Sequence, residues 1–407
     1  MFKKIFSSEI GRGAIILFVT MNIFNVLNFL FHFSMGRLLG PSDYGTLAVL
    51  MSIIYIYNIP VEAIQTIVTK YTSKFNIKKE EGKIHYLMSK SLSKSIKAAF
   101  FIFLIAFIVG FFLSKFLNIN FYLIVLTNVF LFSTFSNPIV KGVLQGRKKF
   151  GKLGANFIIE GGLKLIFSVF LVFIGMKVFG AITGVLLGVF SGIIVSLYFN
   201  KDVLQTKSID TSFNGIYGKS IPYFICMIII YILLSIDIIL SKRFFPDEIV
   251  GKYSVLSMLG KIIFFGTVSI GKTMFPITAE KNEKKQDSKK LFKKVITSMF
   301  FLCSLGIIIY YLFPELIISI LYGKEYIEIA PYLVYSAIAL SFLSLTQLVL
   351  LYGLSTKGLK KTKYLFIFVV LTVILLSFFH KNIAEYILAF MVSNIIMFIG
   401  SFFFLER

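Results

Sequence analysis

Residues 37–45 have the sequence Arg37-Leu38-Leu39-Gly40-Pro41-Ser42-Asp43-Tyr44-Gly45, a short polar turn between two apolar stretches. A similar turn follows 206 residues later: Arg243 ends an apolar stretch, Pro246, Asp247 and Glu248 form the turn, and Gly251-Lys252-Tyr253 opens the next stretch. After each turn the apolar stretch runs into a lysine-rich segment, at residues 78–81 in the first copy and 281–285 in the second. The agreement predicts a duplicated unit.

The composition predicts an all-α, polytopic membrane protein. Hydrophobic residues make up 57% of the chain, which contains 48 Phe and only 15% charged residues. A helix needs about 20 residues to cross the hydrocarbon core of a bilayer. Twelve apolar stretches satisfy this length, at residues 12–36, 45–70, 92–114, 119–141, 153–175, 178–199, 216–241, 250–276, 293–313, 329–353, 363–379 and 383–405.

The basic residues predict the orientation of these spans in a cell membrane. The net charge is +23, but 31 of the 42 Lys and Arg lie in alternate connecting segments that include the N-terminus, and eight lie in the segments between these. Segments with an excess of Lys and Arg lie on the cytoplasmic side of a membrane, so we expect both termini in the cytoplasm. This distribution argues against a nucleic-acid partner and favours contact with anionic membrane lipids.

Six spans in each copy predict two parallel lobes, residues 1–207 and 208–407, with a central cavity. An even number of spans starts and ends each copy on one side of the membrane, an arrangement typical of transporters. No metal site or other cofactor is expected, because Cys226 and Cys303 lie in distant spans and the three His form no ligand-like cluster. No catalytic residues are expected either, since the short outer loops contain no paired acids beyond Glu315, Glu325 and Glu328.

Five segments of the chain resemble the oligosaccharide and polysaccharide flippases of the multidrug/oligosaccharidyl-lipid/polysaccharide exporter superfamily. They are residues 37–45, Gly142-Val-Leu-Gln-Gly-Arg-Lys-Lys-Phe150, Val178-Phe-Gly-Ala-Ile-Thr-Gly184, the segment from Asp237 through Gly251 to Pro276, and Leu316-Ile-Ile-Ser-Ile-Leu-Tyr-Gly323 with Tyr326 and Ala330. Two departures are Pro60-Val61, where many relatives have glycine, and twelve spans in place of the fourteen of some members.

The resemblance implies a flippase that moves a polyprenyl-diphosphate-linked saccharide from the inner to the outer leaflet by alternating access. Its cavity would need buried basic groups for the diphosphate and polar side chains for the sugars. An ion-coupled multidrug or cation exporter of the same superfamily is the alternative, and it would favour an acidic, aromatic cavity. A third possibility is a structural membrane protein.

Four basic residues are candidates for binding the substrate. Lys164 lies about 18 Å along its span from the cytoplasmic end, near mid-membrane, where it either binds substrate or pairs with Glu160 on the same helix face. Lys261 and Lys272 lie in the eighth span, and Lys272 is close enough to the end to extend its ammonium to the interface. Arg12 either anchors the first span or contributes to the cavity mouth.

The polar candidates lie in the first two spans. Asn22, Asn25 and Asn28 share one helix face and bind either sugar hydroxyls or a neighbouring helix. Gln65 in the second span follows Pro60, which predicts a kink that either acts as a hinge or is accommodated by packing.

Acidic residues in the spans raise the possibility of coupling to a proton or sodium ion. Glu62, Asp237 and Glu160 are the candidates, because a buried carboxyl takes up a proton or cation readily. For Asp237 the alternative is an interfacial cap or a pair with Lys242 or Arg243. The basic loops after spans two and eight predict amphipathic helical extensions, which lie at the lipid surface or dock a glycosyltransferase partner.

Overall fold

The structure is a computed structural model that describes residues 9–211, 221–284, 286–356 and 362–403. In these residues the regular structure is helical and no strand is present, which confirms the predicted all-α class. The helices of the first half are α1 (Glu9–Tyr57), α2 (Val61–Ile77), α3 (Glu81–Leu117), α4 (Phe121–Asn128), α5 (Phe130–Gly146), α6 (Phe150–Leu171), α7 (Lys177–Phe199) and α8 (Lys201–Leu204). A π-helical turn, Val172–Met176, joins α6 to α7.

The second half repeats the pattern of long helices joined by short connections. Its helices are α9 (Ile221–Leu233), α10 (Ile236–Phe244), α11 (Asp247–Glu283), α12 (Lys289–Leu312), α13 (Pro314–Leu321), α14 (Leu333–Thr356), α15 (Phe366–Phe378) and α16 (Ile383–Phe403). Two 3₁₀ segments, Lys324–Tyr332 and Thr362–Leu365, precede α14 and α15.

Nine helical segments in the described residues are long and apolar enough to cross a membrane. The segment Ile15–Ile77 covers the first two predicted spans and Phe150–Phe199 covers the fifth and sixth, while the predicted eleventh coincides with the shorter apolar helix Phe366–Phe378. Every predicted span therefore overlaps an apolar helix, and the total of twelve crossings stays a prediction.

Helix α1 contains the turn that the repeat predicted. Gly40 has φ 70° and ψ 174°, a conformation that favours glycine, and Pro41 restarts the helix immediately. The predicted short turn is thus a sharp kink at Gly40, and residues 41–44 are already helical. A second break separates α1 from α2 at residues 58–60, where Pro60 precedes the first helical residue of α2.

The described residues form two compact units. The first comprises those within Met1–Leu39 and Tyr57–Gly218, and the second comprises Gly40–Ile56 with those within Lys219–Arg407. The chain thus enters the second unit at the Gly40 kink and returns to the first a few residues before Pro60.

The core of the first unit includes the amphipathic extension predicted after the second span. Helix α3 begins at Glu81, which confirms that the extension is helical. Ile84, Leu87 and Met88 are buried together with Val68 of α2 and Val143 of α5. These side chains pack on protein, contrary to the expected position at the lipid surface, because neighbouring helices supply an apolar partner for that face.

Candidate functional site

A ladder of glycines on α7 brings α6 unusually close. Helix α7 carries a glycine on every fourth residue, and a Cβ added at any of the four would lie within 3.0 Å of an α6 atom. The opposed pairs are Gly192 with Glu160, Gly188 with Lys164, Gly184 with Ser168 and Gly180 with Leu171. Small residues at this spacing let two helix backbones approach each other, so the polar face of α6 is buried against α7.

Glu160 is the centre of a buried polar cluster in the first unit. Its Oε2 atom accepts hydrogen bonds from Lys141 Nζ at 2.6 Å and Asn137 Nδ2 at 3.3 Å. The Lys141 ammonium also lies 4.6 Å from the ring centre of Phe157. Both charged side chains are 7% exposed, so this ion pair is largely removed from water. On the same face of α6, Asn156 Nδ2 donates to the main-chain oxygen of Gly192 at 2.6 Å.

Lys164 lies one turn beyond Glu160 and points to α1. Its ammonium donates to Asn28 Oδ1 at 2.9 Å and lies 4.1 Å from the ring centre of Phe31. The side chain is buried, and among the described residues it forms no direct ion pair. The carboxylate of Glu160 is taken by Lys141, so the structure does not show the pairing of Lys164 with Glu160 that their four-residue spacing offered.

The asparagine stripe of α1 divides into different environments. Asn28 is partly buried and joins Lys164, while its Nδ2 donates to the oxygen of Phe24 at 2.9 Å. Asn22 is exposed and donates to Phe18 on its own helix. Asn25 is partly buried between these two positions.

The candidates of α2 lie in another part of the first unit. Gln65 Nε2 donates to Gln145 Oε1 of α5 at 2.8 Å, and Thr69 Oγ1 approaches the same oxygen at 3.3 Å. Glu62 is partly buried in the first turn of α2. The structure does not bring these residues into the hydrogen-bonded contacts of Lys164.

The second unit contains its own buried polar cluster around Asp237. This residue is fully buried in the first turn of α10, and its Oδ2 accepts hydrogen bonds from Ser257 Oγ at 2.7 Å and Tyr253 Oη at 3.1 Å. Tyr386 Oη donates to the main-chain oxygen of Asp237 at 2.7 Å. The alternative partner Lys242 instead pairs with Asp247 at 2.5 Å.

Lys261 is buried in the second unit, with a relative exposure of 1%. Its ammonium lies 5.3 Å from the ring centre of Tyr55 and within electrostatic range of Asp237. The side chains of Lys272 and Arg12 lie outside the described residues. Among the residues that the structure describes, no three His, Cys, Asp or Glu are grouped to hold a metal, and both cysteines are free and buried.

Sequence reasoning missed Lys141, which the structure places beside Glu160. The predicted fourth span ends at residue 141, which counts this lysine with the cytoplasmic segments, although α5 continues to Gly146. The regular spacing of Gly180, Gly184, Gly188 and Gly192 predicts a close helix neighbour for α7, but it gives no signal for the position of Lys141 on α5.

Comparison with solved structures places this two-unit helical fold among known transporters. The match to an inward-facing multidrug resistance MATE family transporter of the MOP superfamily has a TM-score of 0.77 at 13% identity and covers 96% of this chain and 97% of that one. The match to the lipid II flippase MurJ in an inward closed conformation has a TM-score of 0.71 at 14% identity and covers 97% and 88%. No curated protein matches the chain.

The two matched structures are those of a transporter and a flippase. They show that the chain shares the fold of these two proteins. The family model described as "Polysaccharide biosynthesis protein" matches residues 34–331, which is most of the chain and includes both copies of the repeated turn. The chain is therefore a multi-pass membrane protein with the fold of this transporter superfamily, and it belongs to the polysaccharide biosynthesis protein family.

Proposed function

We propose that this protein is a flippase that carries a polyprenyl-diphosphate-linked oligosaccharide from the cytoplasmic to the outer leaflet by alternating access, for assembly of a cell-surface polysaccharide. The family match to polysaccharide biosynthesis proteins supports the saccharide part of the proposal. The fold, which the chain shares with a lipid II flippase, is compatible with a lipid-linked substrate.

The observation that carries the proposal is the charge of the buried cluster in the first unit. Lys141 and Lys164 contribute two ammonium groups and Glu160 one carboxylate, so one positive charge in the cluster is not compensated by an acidic side chain. A cation held away from water strongly favours an anion as a ligand. A diphosphate headgroup supplies such an anion, whereas the cationic substrate of a drug exporter would be repelled.

Neighbouring polar groups suit the remaining parts of the substrate. The amide of Asn28 contacts Lys164. Asn25 and Asn22 lie on the same stripe of α1, and their amides would form hydrogen bonds with sugar hydroxyls of the substrate. Gln65 of α2 is a further proposed sugar contact, and Arg12 and Lys272 remain proposed cationic contacts. The polyprenyl tail would stay in lipid, where the surface of α3 presents exposed Phe and Ile side chains.

Energy coupling is part of the proposal. The buried carboxylates of Asp237 and Glu160 and the partly buried carboxylate of Glu62 are the groups that would exchange a proton or cation during the cycle. Pro60, next to the border between the units along the chain, would act as a hinge. We also propose a plasma-membrane location with both termini in the cytoplasm, as the positive-inside pattern predicts, and contact of the basic cytoplasmic face with a glycosyltransferase.

The test is transport of a fluorescent polyprenyl-diphosphate monosaccharide in proteoliposomes containing the full-length chain. Lys164→Ala should abolish movement of the probe between leaflets, Lys164→Arg should retain part of it, and Lys152→Ala should have no effect. Lys152 is the matched control, because it is an exposed lysine on the same helix.

The drug-exporter alternative is tested with the same preparations by efflux of ethidium. Normal movement of the lipid probe by folded Lys164→Ala protein would refute the cationic site. Ethidium transport without any movement of the lipid probe would favour the alternative function.

A further inference from the structure

The Asp237 cluster has the oxygen ligands of a small-cation site. Asp237 Oδ2, Ser257 Oγ and Tyr253 Oη converge within hydrogen-bond distance, and the rings of Tyr253 and Tyr386 pack 5.0 Å apart against them. Carboxylate and hydroxyl oxygens are the donors that hard metal cations prefer. The site is fully buried, so an isolated carboxylate there would require a compensating positive charge.

Lys261 is positioned to supply that charge. Tyr253, Ser257 and Lys261 follow one another at four-residue intervals on α11 and therefore share one helix face. Side chains on a helix lean toward its N-terminus, which directs Lys261 from its own turn toward that of Ser257. The lysine and the carboxylate attract each other electrostatically although they form neither a direct hydrogen bond nor a close ion pair.

The buried polar atoms that lack a partner include one on each of these two residues. Among the described residues, Asp237 Oδ1 and Lys261 Nζ are both buried and have no hydrogen-bond partner. The titratable groups that face this pair are Tyr253 and Tyr386 beside the carboxylate and Tyr55 beside the ammonium. These phenols are neutral, so Lys261 is the compensating cation that the structure provides near Asp237.

We infer that Lys261 is a built-in cation that takes the place of a metal ion at the Asp237 site, so that the site in this chain is closed to sodium and similar ions. If the chain is an ion-coupled flippase as proposed, the closed site excludes sodium as the coupling ion. A proton is then the ion that Asp237 could exchange, and only this part of the inference rests on the proposed function. Replacing the lysine by a neutral side chain should open the site to a metal cation.

The experiment measures cation binding by the purified full-length protein and uses no transport substrate. Thermal unfolding is followed with a thiol-reactive dye, because Cys226 and Cys303 are buried and free and become reactive on unfolding. Sodium chloride is compared with choline chloride at equal ionic strength for the wild type, Lys261→Met, and the double variant Asp237→Asn/Lys261→Met. Lys252→Met is the matched control, since Lys252 is on the same helix but pairs with Glu248 and Glu328.

For the wild type, and also for Lys252→Met, the unfolding temperature in sodium chloride should equal that of the same protein in choline chloride. Lys261→Met should unfold at a lower temperature in choline and gain roughly 2–4 °C in sodium. The double variant should be more stable than Lys261→Met in choline and should not respond to sodium. If Lys261→Met does not fold, Lys261→Gln replaces it in both the single and double variants.

A sodium-dependent unfolding temperature of the wild type would overturn the inference, because the metal would then bind with the lysine in place. A folded Lys261→Met protein that ignores sodium, or a double variant no more stable than the single one, would also overturn it. None of these results bears on whether the chain moves a lipid-linked saccharide, so the two proposals fail separately.

Discussion

Gly45 and Gly251, which occupy equivalent positions in the two copies of the repeat, pack against each other in the second unit. A Cβ on Gly45 would lie 2.7 Å from the main-chain nitrogen of Gly251 and 2.9 Å from the oxygen of Asp247. A Cβ on Gly251 would overlap the carbonyl group of Pro41. Backbones approach this closely only where both helices lack side chains, so the repeated turn forms a contact with its own copy.

Gly251→Ala should destabilise the protein by about 1–3 kcal/mol, because the new methyl group overlaps backbone atoms that have little room to move. The matched control is Gly266→Ala on the same helix, where an added Cβ meets nothing within 4 Å. This control should keep or slightly raise stability, since alanine favours the helix. Thermal unfolding of the purified variants gives the comparison, and equal midpoints would contradict the close contact.

The sequence predicts the helices of this fold because their signal is local. Apolar length and the repeated Gly-Pro and Pro-Asp turns are sufficient to place α1 and α11 without knowledge of their neighbours. The association of residues 40–56 with the second unit is not local, since it depends on the contact between Gly45 and Gly251.

In the candidate site, too, the sequence predicts the polar residues but not the contacts between distant parts of the chain. Lys164 and Asn28 are predictable as candidates because polar residues within apolar spans are rare, but spacing does not reveal their partners. Glu160 is four residues from Lys164, yet its carboxylate is bound by Lys141, which is 19 residues away along the chain. The side-chain partners are decided by which helix faces meet, and the glycine ladder of α7 determines this for α6.

The Lys141–Glu160 ion pair should show strong coupling in a double-mutant cycle. Glu160→Gln or Lys141→Met alone leaves a buried charge without its partner, at a cost of about 3–5 kcal/mol. The double variant removes both charges, so its loss in free energy of unfolding should be clearly smaller than the sum of the losses in the two single variants. Chemical unfolding of the four proteins measures the coupling, and additive effects would show that the pair is not formed.

Arg147 and Asp202 should stabilise the first unit in a pH-dependent way. Arg147 donates to both carboxylate oxygens, at 3.0 and 2.6 Å, and Lys149 adds a third bond at 2.7 Å. The hydrogen bonds from Arg147, with those from Lys149, hold the pKa of Asp202 well below its usual range. The stabilisation is therefore complete above the unfolded pKa of about 3.9 and is lost as the pH falls toward the lower folded value.

Asp202→Asn should consequently lower the unfolding temperature at neutral pH, and its difference from the wild type should shrink below about pH 4. The exposed pair of Glu280 and Lys284 provides the control, and Glu280→Gln should have little effect because surface ion pairs contribute little. A difference between Asp202→Asn and the wild type that does not change with pH would rule out the proposed origin of the stabilisation.

Gly188→Ala should disturb Lys164 without changing any polar group. The added Cβ would lie 2.5–2.7 Å from the Cβ, Cα and main-chain nitrogen of Lys164, so α6 must shift away from α7 and the geometry of the bond from Lys164 to Asn28 must change. Gly162→Ala on α6 is the control, because a Cβ at that position meets nothing within 4 Å. Movement of the fluorescent polyprenyl-diphosphate probe should fall several-fold in Gly188→Ala and stay normal in Gly162→Ala. If folded Gly188→Ala protein moved the probe at the wild-type rate, the position of Lys164 against the glycine ladder would not matter for transport.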